Sequence, residues 1–154
     1  MAVAVEAPVS LEVHAEIDIA ASPDEVWRSL TEDIGSWWPH SFSDHPLRIA
    51  LEPFIGGRFY EQFDEAGAGA LYAVVTYIDP GKTLIVSGSM GMPGARQYVK
   101  KYALEQVNAG TRVRTTASTL GDIPEEMREN YRTGGEAVLQ ALKEYAEGAA
   151  HPTS

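Results

Sequence analysis

The amino-acid sequence predicts an α+β domain: a curved seven-stranded antiparallel sheet wrapped around one long C-terminal helix, with two short helices between strands 1 and 2. Three observations carry this. A segment long enough to cover a sheet as a helix occurs once, at 123–147, after a long run of strand-like segments joined by short Gly-, Pro- and Asp-bearing connections. Its apolar stripe, Met127, Tyr131, Gly134 or Gly135, Val138, Leu142 and Tyr145, is spaced by threes and fours and so lies on one face. The strands carry the period of two that buries one face and wets the other.

Taken in order, Leu11, Val13, Ala15, Ile17 and Ile19 alternate with Glu12, His14, Glu16 and Asp18, which predicts strand 1 over 11–19. Ser22-Pro23-Asp24-Glu25 then supplies a capping Ser, a Pro at the first helical position and a Glu at the third, opening a short helix with Val26, Trp27 and Leu30 on its apolar side. A second helical turn is expected over 33–38, stopping before Pro39. Strands follow at 47–51, 58–63, 70–78, 83–87, 96–107 and 111–120. Their connections (Gly56-Gly57, 64–67, Asp79-Pro80-Gly81, 88–94 and Asn108-Ala109-Gly110) are short enough that neighbours pair antiparallel as a meander. Asp122 and Glu125, with Pro124 in the first turn, read as a second capping box opening the last helix.

The 154 residues fit one domain, able to bury about 70% of the surface of its unfolded chain. We expect 1–10 to be an N-terminal extension, 11–147 the domain and 148–154 a disordered tail. With no cysteine there is no disulfide framework, thiolate nucleophile or Cys-based zinc site, which fits a reducing compartment. The first residues lack a basic segment followed by an apolar core, and no apolar run approaches membrane-spanning length, so a cytoplasmic protein is the expectation. A net charge of −10 and a pI near 4.8 oppose binding to phosphate backbones and anionic lipid, so neither nucleic acid nor membrane is an expected partner.

Gly134 and Gly135 stand on the stripe where side chains are needed to pack. Each costs roughly 1 kcal/mol relative to Ala in a helix interior. We read them as space beside a cavity; a kink or close packing against an aromatic ring is the alternative. A strongly bent sheet stands off its helix at one end, and the inward faces mix aliphatics with Tyr and Thr, which suits a mostly apolar pocket with a few polar handles. The expected lining is Trp37, Trp38, Phe59, Phe63, Tyr72, Tyr98, Lys100, Tyr102, Thr115, Thr119, Met127, Tyr131, Gly134, Gly135 and Val138. Adjacent on a short helix, Trp37 and Trp38 project about 100° apart, so at most one points straight inward. Lys100 shares a strand face with Tyr98 and Tyr102. Either it snorkels to the cavity mouth, or it meets an anion such as a ligand carboxylate or Glu61, or a bulge turns it outward. His40, Asp44 and His45 include metal-ligand types, yet they sit in a Pro-bounded loop without HExxH spacing and read as a solvated loop. No metal or cofactor is expected, and spacing identifies no nucleophile and base pair.

Four segments together resemble a known series: Ser22-Pro23-Asp24-Glu25-Val26-Trp27, Gly35-Ser36-Trp37-Trp38-Pro39, 51–60 (Leu-Glu-Pro-Phe-Ile-Gly-Gly-Arg-Phe-Tyr) and 77–84 (Tyr-Ile-Asp-Pro-Gly-Lys-Thr-Leu). They are similar to the START-like or SRPBCC superfamily, and within it to the branch of homologues of the activator of heat-shock protein 90 ATPase. The resemblance spans 11–147 and implies a helix-grip fold with a deep hydrophobic cavity, as in the birch pollen allergen. It departs at one place: the branch pattern Gly-Gly-Trp reads Gly134-Gly135-Glu136 here. The function expected is binding of an unidentified apolar small molecule, by a monomer or homodimer. Two alternatives stay open. One is a polyketide cyclase or dehydratase-like enzyme using Tyr98 or Tyr102 hydroxyls. The other is a chaperone ATPase co-regulator with a chaperone partner, for which the extra N-terminal domain of the eukaryotic activators is not expected in this chain.

Overall fold

A computed structural model describes residues 2–4 and 7–151. The chain runs β1 (Val9–Ile19), α1 (Pro23–Leu30), a 3-10 turn (Ile34–Ser36), β2 (Arg48–Leu51), β3 (Arg58–Gln62), β4 (Gly69–Asp79), β5 (Thr83–Gly88), β6 (Arg96–Val107), β7 (Gly110–Gly121), a second 3-10 turn (Glu125–Met127) and α2 (Arg128–Ala150). All seven strands form one antiparallel sheet in the order β1-β7-β6-β5-β4-β3-β2. This is the helix-grip arrangement, with α2 held in the concave face of the sheet.

From β2 to β7 each strand pairs with its successor. β1 instead pairs with β7, from Val9 opposite Gly121 to Ile19 opposite Thr111, and α1 with its following turn carries the chain across to the far edge. Alternation places Thr111, Val113, Thr115, Ala117 and Thr119 of β7 inward, all buried. On the wet face Arg112 pairs with Asp18, and Arg114 with Glu16 and Glu105. Such exposed pairs contribute little. Irregular register at Phe59/Tyr60 and between Val75 and Tyr77 interrupts pairing of β3, β4 and β5, where the sheet bends. Asn108 takes a positive φ of 48° in the β6–β7 connection, a conformation Asn tolerates.

The serine half of the first capping motif forms, with Ser22 Oγ accepting from Glu25 N at 3.2 Å, while the Glu25 carboxylate pairs with Arg28. The second motif does not form. Ile123 is buried, Asp122 N donates to Ala95 O and Asp122 O accepts from Arg96, so the chain continues extended through Pro124 (ψ 141°). A 3-10 turn follows, and α2 begins only at Arg128, without a side-chain cap. Other boundaries shift as well. The turn at 33–38 contracts to Ile34–Ser36, pressed against β2 so closely that a Cβ on Gly35 would overlap Ile49 O. Leu47 and Phe63 fall just outside their strands. Val9 and Ser10 belong to β1 rather than to an extension, and 148–150 are helix rather than tail; the remainder of the expected tail, 152–154, lies outside the described residues.

The core gathers Val26 and Leu30 of α1, Ile34, and Val138, Leu139, Leu142 and Ala146 of α2 against the inner faces of Leu84, Leu104 and Val113. The C-terminal half of α2 is further tied down by polar contacts. Glu147 accepts from Ala20 N at 2.9 Å and from Lys143 Nζ at 2.8 Å, and Tyr145 donates to Asp33 at 3.1 Å. Among the described residues no helix is long and apolar enough to cross a membrane.

Candidate functional site: a hollow under the first turns of the long helix

The N-terminal half of α2 stands off the sheet, touching it through the bond between Tyr131 and Arg96 of β6. Between them lies a hollow with two connected lobes that share Trp38, His40, Met90, Tyr98, Asn130, Tyr131 and Gly134. The outer lobe, about 300 Å³, is bordered by Trp38, His40, Ser41 and Phe42, Tyr72 of β4, Ser89, Met90 and Met92 of the β5–β6 connection, Arg96 and Tyr98 of β6, and Met127 and Tyr131. The inner lobe, about 150 Å³, reaches Val13 and Ala15 of β1, Lys100 of β6, Thr115 and Ala117 of β7, and Gly135 and Val138 of α2. A Cβ added at Gly134 would meet nothing within 4 Å, and one at Gly135 would touch only Lys100 Nζ, at 4.0 Å. The missing side chains thus face open space.

Of the residues named from the sequence, Trp38, Tyr72, Tyr98, Met127, Tyr131 and Gly134 border the outer lobe, and Lys100, Thr115, Gly135 and Val138 the inner one. Trp37, Phe59, Phe63, Tyr102 and Thr119 border neither. Trp37 is 8% exposed and donates its Nε1–H to Ser29 O at 2.6 Å, locking it into the α1 core. Phe59 stands behind the wall, edge-on to Trp38 and to Tyr72 with ring centroids 4.9 Å apart in each pair. Tyr102 and Thr119 are buried, and Phe63 sits beyond the end of β3. Lining residues that sequence reasoning missed come mostly from connections: His40, Ser41, Phe42, Ser89, Met90 and Met92. Met90 holds a positive φ of 58°, with its N–H donated to Tyr72 O at 2.8 Å. No periodicity marks such positions, although the methionines flanking Gly91 were a compositional hint.

One buried carboxylate organises the rim. Glu61 is 1% exposed and accepts from the backbone N–H of Phe42 and of Ser43, each at 2.8 Å, and from the Tyr72 hydroxyl. Burial pushes its carboxyl up, but these three donors outweigh burial and hold it below the ordinary glutamate range. Burial, followed by the hydrogen bond to Glu61 and then its charge, pushes the Tyr72 phenol up. Segment 38–43 is therefore pinned across the hollow by a side chain of β3.

The inner lobe carries the opposite charge. Lys100 is 3% exposed, and burial lowers its pKa to about 8. The pairing of β6 with β5 and β7 is regular at Lys100, so no bulge turns it outward, and Glu61 is engaged elsewhere. Its Nζ lies 5.4 Å from the Tyr102 ring centroid, a cation–π contact. Burial also raises the Tyr98 and Tyr102 phenols. At the outer end Arg96 donates to the Tyr131 hydroxyl at 3.0 Å and to Asp122 O at 2.8 Å. Ser41 donates to Ser43 O rather than to His40. Among the described residues no three His, Asp or Glu side chains gather as a metal ion would require.

Comparison with known proteins fits the architecture. A structure of an uncharacterized protein from Rhizobium leguminosarum superposes with a TM-score of 0.74 at 20% identity, covering 94% of this chain and 99% of that one. The Aha1 dimer from Colwellia psychrerythraea gives 0.64 at 26% identity, over 89% and 96% of the two chains. Ara h 8.0201 gives 0.64 at 14% identity, over 90% and 98%, a likeness of fold alone. No curated protein sequence matches the chain. The family described as Activator of Hsp90 ATPase homolog 1-like protein matches residues 20–147, which takes in every element from α1 to most of α2, and the chain belongs to that family.

Proposed function

We propose that this protein binds a small, largely apolar molecule in the hollow between the sheet and the N-terminal half of α2. The observation that carries the reading is the glycine pair facing open space. Two glycines in succession cost the helix roughly 2 kcal/mol relative to alanines, and no close contact explains them. Space retained at a cost to stability is space that function uses. A volume of about 300 Å³ for the outer lobe sits at the lower end of small-molecule sites. Trp38, Phe42, Met90, Met92 and Met127 supply an adaptable apolar wall, and the Tyr98 and Tyr131 hydroxyls supply orientation.

Native mass spectrometry of freshly purified protein tests this. We expect a bound species that solvent extraction releases, and its loss in a Gly134→Leu variant that fills the hollow. Identical spectra for the two proteins, with no adduct in either, would count against the reading. A second reading, chaperone co-regulation, draws on the likeness to the Colwellia Aha1 dimer. It predicts stimulation of an Hsp90 ATPase by the purified chain, and an unchanged rate would remove it. That neighbour also supports a homodimer, which sedimentation would test.

A further inference from the structure

The chain as a whole is strongly acidic, at −10, yet the charged side chains bordering its hollow are Lys100 and Arg96, with no Asp or Glu in either lobe among the described residues. The two cations differ. Arg96 has acceptors for its two terminal nitrogens in the Tyr131 hydroxyl and Asp122 O, at the outer end of the hollow, while its buried Nε has none. Lys100 faces Thr115 and Ala117 of β7, Val13 and Ala15 of β1, and Gly135 and Val138 of α2, none of which carries charge. On its own strand it has only the tyrosines, Tyr102 beneath it and Tyr98 beside the hollow. Burial lowers its pKa, and no Asp or Glu borders the inner lobe to offset it. A buried ammonium with an aromatic face but no carboxylate beside it is a liability that a methionine of similar length would remove. Gly135 leaves the approach to the ammonium clear, since any side chain beyond Cβ there would occupy it.

We propose that the ligand is an amphipathic monocarboxylate that enters acid-first: its carboxylate accepts from the Lys100 ammonium and the Thr115 hydroxyl in the inner lobe, and its apolar body fills the outer lobe. This rests on the binding function proposed above. A carboxylate suits the inner lobe better than a phosphate, because about 150 Å³ with one ammonium and one hydroxyl lacks the multiple donors that a dianion needs. The cation deep in the hollow and the oily rim fix the polarity of entry.

Titration calorimetry on the full chain, with decanoate against decanamide and naphthalene-2-carboxylate against its carboxamide, tests the proposal with probes matched in shape and differing in charge. At least one acid is expected to bind, Lys100→Met to weaken it by about tenfold or more, and the matching amide to change little. At pH 8, where Lys100 is partly neutral, the acid should draw a proton from the buffer, read from heats in two buffers of different ionisation enthalpy. Lys100→Met keeps His40, Tyr98 and Tyr131, so loss of that uptake assigns it to Lys100. Acids and amides that bind alike, insensitive to the substitution, would overturn the carboxylate assignment and leave the binding function standing. If none of the four binds, the carboxylate assignment falls, and the native mass spectra decide the binding function separately. Should Lys100→Met not fold, Lys100→Gln replaces it, and proton uptake by the unaltered protein decides independently: uptake with the acid supports the proposal, and its absence overturns it.

Discussion

The two halves of α2 obey the same helical geometry and do opposite things. From Val138 onward the helix drives Leu139, Leu142 and Ala146 into β1, α1 and the core, and Tyr145 and Glu147 fasten it to neighbouring backbone and side chains. Before Val138 it offers two glycines and a half-buried tyrosine to a space it does not fill. One helix thus serves as a plug at one end and a lid at the other. What opens the hollow is the loss of side-chain volume at the two glycines.

Substitutions should separate the halves. Leu142→Ala, at a position with no exposure, is expected to cost about 2–5 kcal/mol in urea unfolding, whereas Met127→Ala, in the half-buried turn that leads into the N-terminal half, costs under about 1 kcal/mol. Equal costs would erase the distinction. Next in size, Glu61→Gln replaces a three-donor acceptor by a group whose own N–H₂ opposes a donor, and should cost about 2–3 kcal/mol. Because the folded-state pKa of Glu61 is depressed, its contribution is present above the ordinary glutamate range. It is lost as pH falls through the folded value, so the gap between unaltered protein and variant should close in acid.

Lys100→Met acts in the other direction and should stabilise by about 1–3 kcal/mol at pH 7, raising Tm by roughly 2–4 °C per kcal/mol. The sign follows from the protons. With a folded-state value near 8 against an ordinary 10.5, the unfolded chain binds more protons between these values. Stability of the unaltered protein should therefore rise from pH 8 toward pH 10, while that of the variant should not. A variant less stable than its parent would mean that the ammonium has a partner in the folded chain. Smallest in effect, Gly134→Ala should add about 0.5–1 kcal/mol, since the new methyl meets nothing. If it destabilises, the space before the helix is not free.

How far the sequence could be read depended on where regular periodicity stopped. Strand order from β2 to β7 followed from alternation and short connections, and the hollow's inner lobe from alternation on β6 and β7, where Lys100 and Thr115 face the same side. Pairing of β1 with β7 was not legible, because nothing local in 9–19 names a partner a hundred residues away. The start of α2 was misjudged for a related reason: Asp122 and Glu125 have the right spacing for a cap, but the burial of Ile123 and the bond from Arg96 keep Asp122 in line with β7. The rim was least visible. Phe42 and Met90 reach the hollow through backbone bonds to Glu61 and Tyr72, and such tertiary anchors leave no pattern in the residues they hold. Tyr102 shows the limit of alternation, sharing a face with Tyr98 and Lys100 yet lying in the packed core.

The long-range closure of the sheet also has a temporal side. Within the domain β1 leaves the ribosome before the other strands, and its strand neighbour among the described residues, β7, leaves after all of them. Until Gly110–Gly121 emerges, the backbone donors and acceptors of Val9–Ile19 have no ladder to join, and the groove that receives Leu142 does not exist. Local hairpins from β2 onward can form during synthesis, but the domain closes only after β7 and α2 have followed.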